Sequence, residues 1–327
     1  LAGRAIQQDI SPYGEEVALE SQVGVLRRPA LPNEDQMGFA YPIYALLPVF
    51  PTLTMTFDWA QAAWLSFNLI LFVVTLLATF RQTFPIALSL SLTFFPMSFA
   101  LILGNMNIPV TLILILSIGL LFIQQQRGRL MQILLGVLLA WATIKPQFSI
   151  FFLALIGLYA LHQKMRPLIA SFLTSLFVFL AISTLIWPRW PVEWLQRMTH
   201  YTGYINSNPI LLNLARSALP ASSANIITLF LAGLALVVTV FITLRWWRGR
   251  YPLGRLLAWI GLISYLSMPI SVSYEQIRFY IPLLFWLALP QPRKAAWWIF
   301  GPLLIILSWL ATLLPRFTNP NLDLDEL

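Results

Sequence analysis

Apolar runs close to 20 residues long recur along nearly the whole chain, and they leave few folds open. A helix needs about 20 apolar residues to cross roughly 30 Å of hydrocarbon, where each backbone polar group must be bonded within its own segment. Hydrophobic residues make up 59% of the sequence and charged ones 10%, against about 45–50% and 25% in soluble domains. The sequence reads as an all-α, polytopic membrane protein. It has no cysteine and two histidines, His162 and His200. That excludes disulfides, thiolate metal sites and a cysteine nucleophile, and leaves no histidine-rich metal site. A net charge of +8 suggests nucleic acid until it is mapped, but in an apolar chain basic residues also set membrane orientation. Neither a nucleic-acid partner nor a metal or cofactor is expected.

The chain opens at Leu1 in polar sequence with no visible signal peptide, and its natural start is expected upstream. Residues 1–57 form an external polar loop. It ends in a juxtamembrane helix at 41–54 (YPIYALLPVFPTLT), too short and too rich in proline to cross. Residues 58–314 form a bundle of about ten spans, at 58–80, 84–103, 107–123, 130–144, 147–161, 167–187, 225–247, 252–270, 277–290 and 295–314. An external loop at 188–224 interrupts it, and an external tail follows at 315–327. As one helix, 130–161 would run about 48 Å, too long for one crossing. Lys145-Pro146 divides it into two short helices.

Orientation follows from charge. Alternation from an external first loop places Arg81, Arg127, Arg129, Lys164, Arg166, Arg245, Arg248, Arg250, Arg255, Arg293 and Lys294 on one side. Those 11 basic residues have no acid among them, and all 12 acids fall on the other side. The basic side is cytoplasmic, so the long polar segments face outward. Trp187, Trp190 and Trp194 then read as an outer aromatic belt, with Trp246, Trp247, Trp297 and Trp298 at the inner interface.

The outer connections collect the chain's candidate site residues. One turn is Gly104-Asn105-Met106-Asn107, the next Lys145-Pro146-Gln147, and the last holds Glu275 and Arg278. The long loop adds Arg189, Arg197, His200, Asn206, Asn208 and Arg216. Each has a plainer reading. Asn105 and Asn107 suit a turn, Lys145 can snorkel to the headgroups, and Glu275 and Arg278 suit an i,i+3 pair. A cationic pocket at the outer face also suits a lipid phosphate. Lys and Arg neutralise it as a leaving group while one carboxylate deprotonates an attacking hydroxyl.

The order of short motifs is distinctive: DISPYGEE, AYPIYALLPVFPTL, WAQAAWLSFNL, LGNMN, RGR, GVLLAWATIKPQ and NPILLNLARSALP. It resembles the GT-C class of membrane glycosyltransferases, and within it glycosyltransferase family 87. The family's Tyr-Pro-Pro-like run, Gly-Gln-x-Asn-like turn and Lys followed by Pro are matched by Tyr41-Pro42, Gly104–Asn107 and Lys145-Pro146. Ile43 replaces the second proline and Asn105 the glutamine.

The resemblance implies a GT-C-like helical bundle in a bacterial plasma membrane. It implies an inverting transfer of a mannose-type sugar from a polyprenyl phosphate to a glycan or glycolipid acceptor outside. Lys145 and Arg278 would hold the donor phosphate, while Tyr41, Asn105, Asn107 and Glu275 line the substrate pocket. The base is Asp9 or an aspartate preceding Leu1. Two other functions remain open on the sequence: a lipid-linked saccharide carrier or flippase, and a polysaccharide polymerase or ligase using Arg189, Arg197 and Arg216.

Overall fold

In a computed structural model of the chain every described element is helical. The structure describes residues 1–32, 34–126, 128–204, 209–267 and 273–288, with 303, 305–307, 309 and 310. Most of the last expected span at 295–314, the connection at 291–294 and the tail at 315–327 lie outside the described residues, as do Arg127, Asn206 and Asn208. The α-helices are α1 (Ala2–Gln7), α2 (Glu15–Leu26), α3 (Phe57–Phe80), α4 (Phe84–Thr93), α5 (Phe95–Leu103), α6 (Asn107–Ile118), α7 (Arg129–Trp141), α8 (Pro146–His162), α9 (Arg166–Ile186), α10 (Trp190–Tyr204), α11 (Ile210–Ala218), α12 (Ala221–Trp247), α13 (Leu253–Leu266) and α14 (Tyr280–Ala288). Residues Ile43–Thr52 form a 3-10 helix, as do Ser273–Phe279.

Among the described residues, three helical stretches are long and apolar enough to cross a membrane: Phe57–Thr93, Arg166–Ile186 and Ala221–Trp247. The 21 residues of α9 extend about 31 Å at 1.5 Å per residue. Large apolar side chains project outward from these helices, among them Phe177, Leu185, Leu229, Phe230 and Leu236. A bilayer accounts for so much exposed hydrocarbon; water would penalise it. The other apolar helices are shorter, at 10–17 residues.

The expected span at 84–103 is two helices, broken at Phe94 (ψ 105°). Pro96 is the cause, because it has no N–H to donate to the carbonyl of Leu92 four residues back. The Ser98 hydroxyl takes that carbonyl instead, at 2.8 Å. The break at Lys145 is of the same kind. Residues Ala142–Ile144 tighten into a 3-10 turn, Lys145 leaves the helical region (φ −127°, ψ 74°), and Pro146 opens α8.

The chain divides into two compact units. Unit 1 takes Leu1–Phe67, Gln125–Pro146 and Leu153–Ser207, and unit 2 takes Asn68–Gln124, Gln147–Phe152 and Asn208–Leu327. In unit 1 the segments around α1, α2 and α10 have small cores of their own. Ala2, Ala5 and Val17 pack with Ile10, Phe39 and Leu46, while Tyr13, Ile43 and Trp190 pack with Ile6, Trp187 and Trp194. Helices α7 and α9 lie against each other, linked by the Ser171 hydroxyl to the Ile133 carbonyl at 2.7 Å. In unit 2, α6 is buried on nearly every side, at 11 of its 12 residues, as its unbroken apolar sequence requires.

Gly136 lets α7 and α9 approach. A Cβ there would lie 2.7 Å from the Leu168 carbonyl oxygen and 2.9 Å from the Phe172 nitrogen, both backbone atoms. Gly136→Ala should destabilise by about 1–3 kcal/mol. Gly157, whose added Cβ would meet nothing within 4 Å, should tolerate alanine or gain up to about 1 kcal/mol. Unfolding of both variants in detergent micelles checks the contrast.

Candidate functional site

Residues 38–42 (GFAYP) run ahead of the 3-10 helix Ile43–Thr52, and three carbonyls of the 38–44 stretch accept from side chains. The Trp194 indole of α10 donates to the Ala40 carbonyl at 3.1 Å. The Tyr13 hydroxyl donates to that of Tyr41 at 2.9 Å, and the Trp141 indole of α7 to that of Tyr44 at 3.2 Å. The Tyr44 hydroxyl then meets Thr143 Oγ1 at 2.9 Å, and its ring stacks on Phe179 of α9. Three tight bonds and a stacked ring thus fix a segment that already contains Pro42. Burial, and after it the Glu193 carboxylate, pushes the Tyr13 phenol above its ordinary range, so it stays protonated as the donor.

Lys145 stands two residues beyond Thr143, in the turn that Tyr44 and Trp141 hold. It is 7% exposed. A lysine snorkelling along the surface keeps its ammonium in the open; this one is drawn into the protein. Tyr41 lines a cavity of about 420 Å³ in the same unit, together with Gly38, Phe39, Leu46, Phe57 and Trp64. Asp9 is exposed and left-handed (φ 58°) just after α1. That is the place of a helix-stopping residue, and aspartate tolerates it well.

Trp187, Trp190 and Trp194, expected as an interfacial belt, each donate a hydrogen bond within the protein. Trp187 donates to Glu193 Oε2 at 2.9 Å, Trp190 to Thr184 Oγ1 at 3.1 Å and Trp194 to Ala40, all within unit 1. Their indoles tie α10 to its neighbours, since a buried indole N–H needs a partner. His200 is exposed on α10, as its polar surroundings suggested.

In unit 2 the 104–107 turn and the last turn come together, because the 3-10 helix Ser273–Phe279 packs against α5 and α6. Gly104 closes α5 in the left-handed region (φ 60°). Asn105 Oδ1 then accepts the Asn107 N–H at 2.9 Å and caps the start of α6. The Asn107 side chain is 0% exposed, and neither end of its amide meets a hydrogen-bond partner among the described residues.

Arg278 is also fully buried. Its Nη2 meets Glu275 Oε2 at 2.9 Å, its Nε meets the Glu275 carbonyl at 3.0 Å, and its Nη1 meets both oxygens of Ser264 on α13. The guanidinium also lies 4.9 Å from the Phe148 ring centroid. Four of its five N–H donors are thus committed inside unit 2. Arg278 was expected to meet the donor phosphate; its observed bonds hold the Ser273–Phe279 turn to α13. Among the described residues, no three of His, Asp and Glu gather as metal ligands.

The family model for glycosyltransferase family 87 matches residues 39–271. The chain belongs to glycosyltransferase family 87. The match takes in Tyr41, Asn105, Asn107, Lys145 and Arg197; Asp9, Glu275 and Arg278 lie beyond its ends. No curated protein and no solved structure matches the chain. Family 87 membership, with three membrane-length apolar helices, makes this a membrane glycosyltransferase.

In this transferase the sequence signalled Lys145, Asn105 and Asn107 through their turns. It gave no signal for Tyr44, Trp141 or Thr143, which act through contacts about 100 residues apart. The Glu275–Arg278 pair yields a stability prediction. Arg278→Met breaks the buried ion pair with Glu275 and should cost about 3–5 kcal/mol. Adding Glu275→Gln removes the carboxylate's charge and should restore part of that loss. Denaturant titration of the single and double variants in detergent tests the coupling.

Proposed function

We propose that this family 87 enzyme transfers a mannose-type sugar, with inversion, from a polyprenyl phosphate to a glycan or glycolipid acceptor on the external face of a bacterial plasma membrane. The reading includes a GT-C-like bundle of about ten crossings, with the external loops and juxtamembrane segment as the sequence divides them. The observation that supports it most is Lys145: a cation at 7% exposure in a turn held by Tyr44 and Trp141. A cation fixed in that place by the fold could neutralise the charge that develops on the leaving phosphate of a lipid-linked sugar.

In the proposed reaction the acceptor oxygen bonds to the anomeric carbon as the bond from that carbon to the phosphate oxygen breaks. The phosphate leaves with the bonding pair, and Lys145 stabilises its growing charge. The hydroxyl proton passes to a carboxylate, for which Asp9 is the candidate on the external loop. Asn107, with its amide open, and Asn105 and Tyr41 are assigned to sugar or acceptor hydroxyls. Glu275 and Arg278 serve by fixing the last outer turn.

Lys145→Met keeps the apolar stem and removes the charge. Transfer of labelled sugar from polyprenyl phosphate should fall by about 10²-fold or more, as when one transition-state contact is lost. Lys145→Arg should keep part of the activity, since it retains charge but alters geometry. Full turnover by Lys145→Met would refute the assignment.

A further inference from the structure

One chain of hydrogen bonds in unit 1 runs from α10 to the wall of the cavity, and it starts at a carboxylate that the reaction above leaves unused. Glu193 is half-buried on α10. Its Oε2 accepts from the Ser11 hydroxyl at 2.5 Å and from the Trp187 indole at 2.9 Å. The Ser11 oxygen in turn accepts the Tyr13 N–H at 3.3 Å. The Tyr13 hydroxyl donates to the Tyr41 carbonyl at 2.9 Å. The Tyr13 ring lies 5.5 Å from that of Phe39, which lies 5.9 Å from that of Tyr41. Phe39 and Tyr41 both line the cavity of about 420 Å³.

Two more side chains of α10 bear on the same segment. Trp194 donates to the Ala40 carbonyl, and Arg197 is buried against Gly38, where an added Cβ would lie 1.7 Å from its Nη2. Residues 38–41 thus rest on α10, and Glu193 supplies the charged link. Bonds to a carboxylate are about twice as strong as neutral ones. A hydroxyl that donates to a carboxylate also becomes a better acceptor, which favours the Ser11 bond to Tyr13. We propose that Glu193 is a positioning residue for transfer. Through Ser11 and Tyr13 it sets Phe39 and Tyr41 in the cavity wall, and with them the fit of the substrate that Tyr41 meets. The inference rests on the reading of Tyr41 as a contact to sugar or acceptor hydroxyls.

The test follows transfer of labelled sugar by the full chain in dodecylmaltoside. Mannosyl-phosphoryl-polyprenol is the donor and octyl mannoside the acceptor probe, each varied in turn. Tyr41→Phe should raise KM for one of the two. Glu193→Ala and Ser11→Ala should each raise that same KM about tenfold and leave kcat within about twofold, as when a binding contact is displaced. Together they should do no more than either alone, because they remove links of one chain. Glu193→Gln, whose amide oxygen can accept the same two hydrogens, should recover most of the loss.

Unchanged KM in Glu193→Ala and Ser11→Ala, with a lower thermal midpoint and less active enzyme, would overturn the inference and leave the reading of Tyr41 standing. The chain of bonds would then be a tether of the fold. A fall of about 10²-fold in kcat for Glu193→Gln at constant KM would also overturn it, and would make Glu193 the base itself. If Tyr41→Phe alters neither KM, or the wild type transfers nothing between these probes, the reading fails and the inference fails with it.

Discussion

The carbonyls of Ala40, Tyr41 and Tyr44 accept from Trp194, Tyr13 and Trp141, and much of unit 1 is arranged to make those three bonds possible. Pro42 lacks an N–H and fixes one dihedral where the chain turns into the 3-10 helix Ile43–Thr52. In an apolar setting an unmet carbonyl costs about 1–3 kcal/mol. The donors are large side chains delivered by α7, α10 and the loop before α2. Each brings apolar surface as well as an N–H or O–H, so that the segment is both packed and bonded. Lys145 inherits its position from this arrangement, because Thr143 and Trp141 belong to the same turn that Tyr44 holds.

Unit 2 is built on a different principle. Helix α6 is enclosed, and the turns at its N-terminal end are set by short-range chemistry: a left-handed glycine, an asparagine cap and an ion pair three residues apart. The guanidinium of Arg278 and the amide of Asn107 differ there. The first commits four of its five N–H donors within the unit and stiffens its turn. The second keeps its hydrogen-bonding groups available, at the end of the most buried helix in the unit.

Much of this was legible in the sequence where the cause is local. Apolar runs gave the helices, Lys145-Pro146 gave the break between α7 and α8, and the Asn105 cap followed from turn chemistry. The order of short motifs carried the family, although each is degenerate alone. Pro96 could have signalled the break at Phe94, but its apolar surroundings read as one span. The burial of Arg197 had no local signal. It depends on the absence of a side chain at Gly38, far away in the sequence, and composition cannot report such a pairing. The tryptophans of α10 misled for a related reason: a residue that is apolar at one end and a donor at the other suits a lipid interface and a packed carbonyl equally well.

The central claim is that the 38–44 segment acts on transfer through the turn that carries Lys145. A double-mutant cycle on sugar transfer addresses it directly. Tyr44→Phe removes the hydroxyl that meets Thr143 and little else. If the account holds, it should slow transfer about tenfold in the presence of Lys145 and by less than about twofold in a Lys145→Met background, since coupled residues are not additive. The same factor in both backgrounds would show that the segment and Lys145 act independently, and would contradict the account.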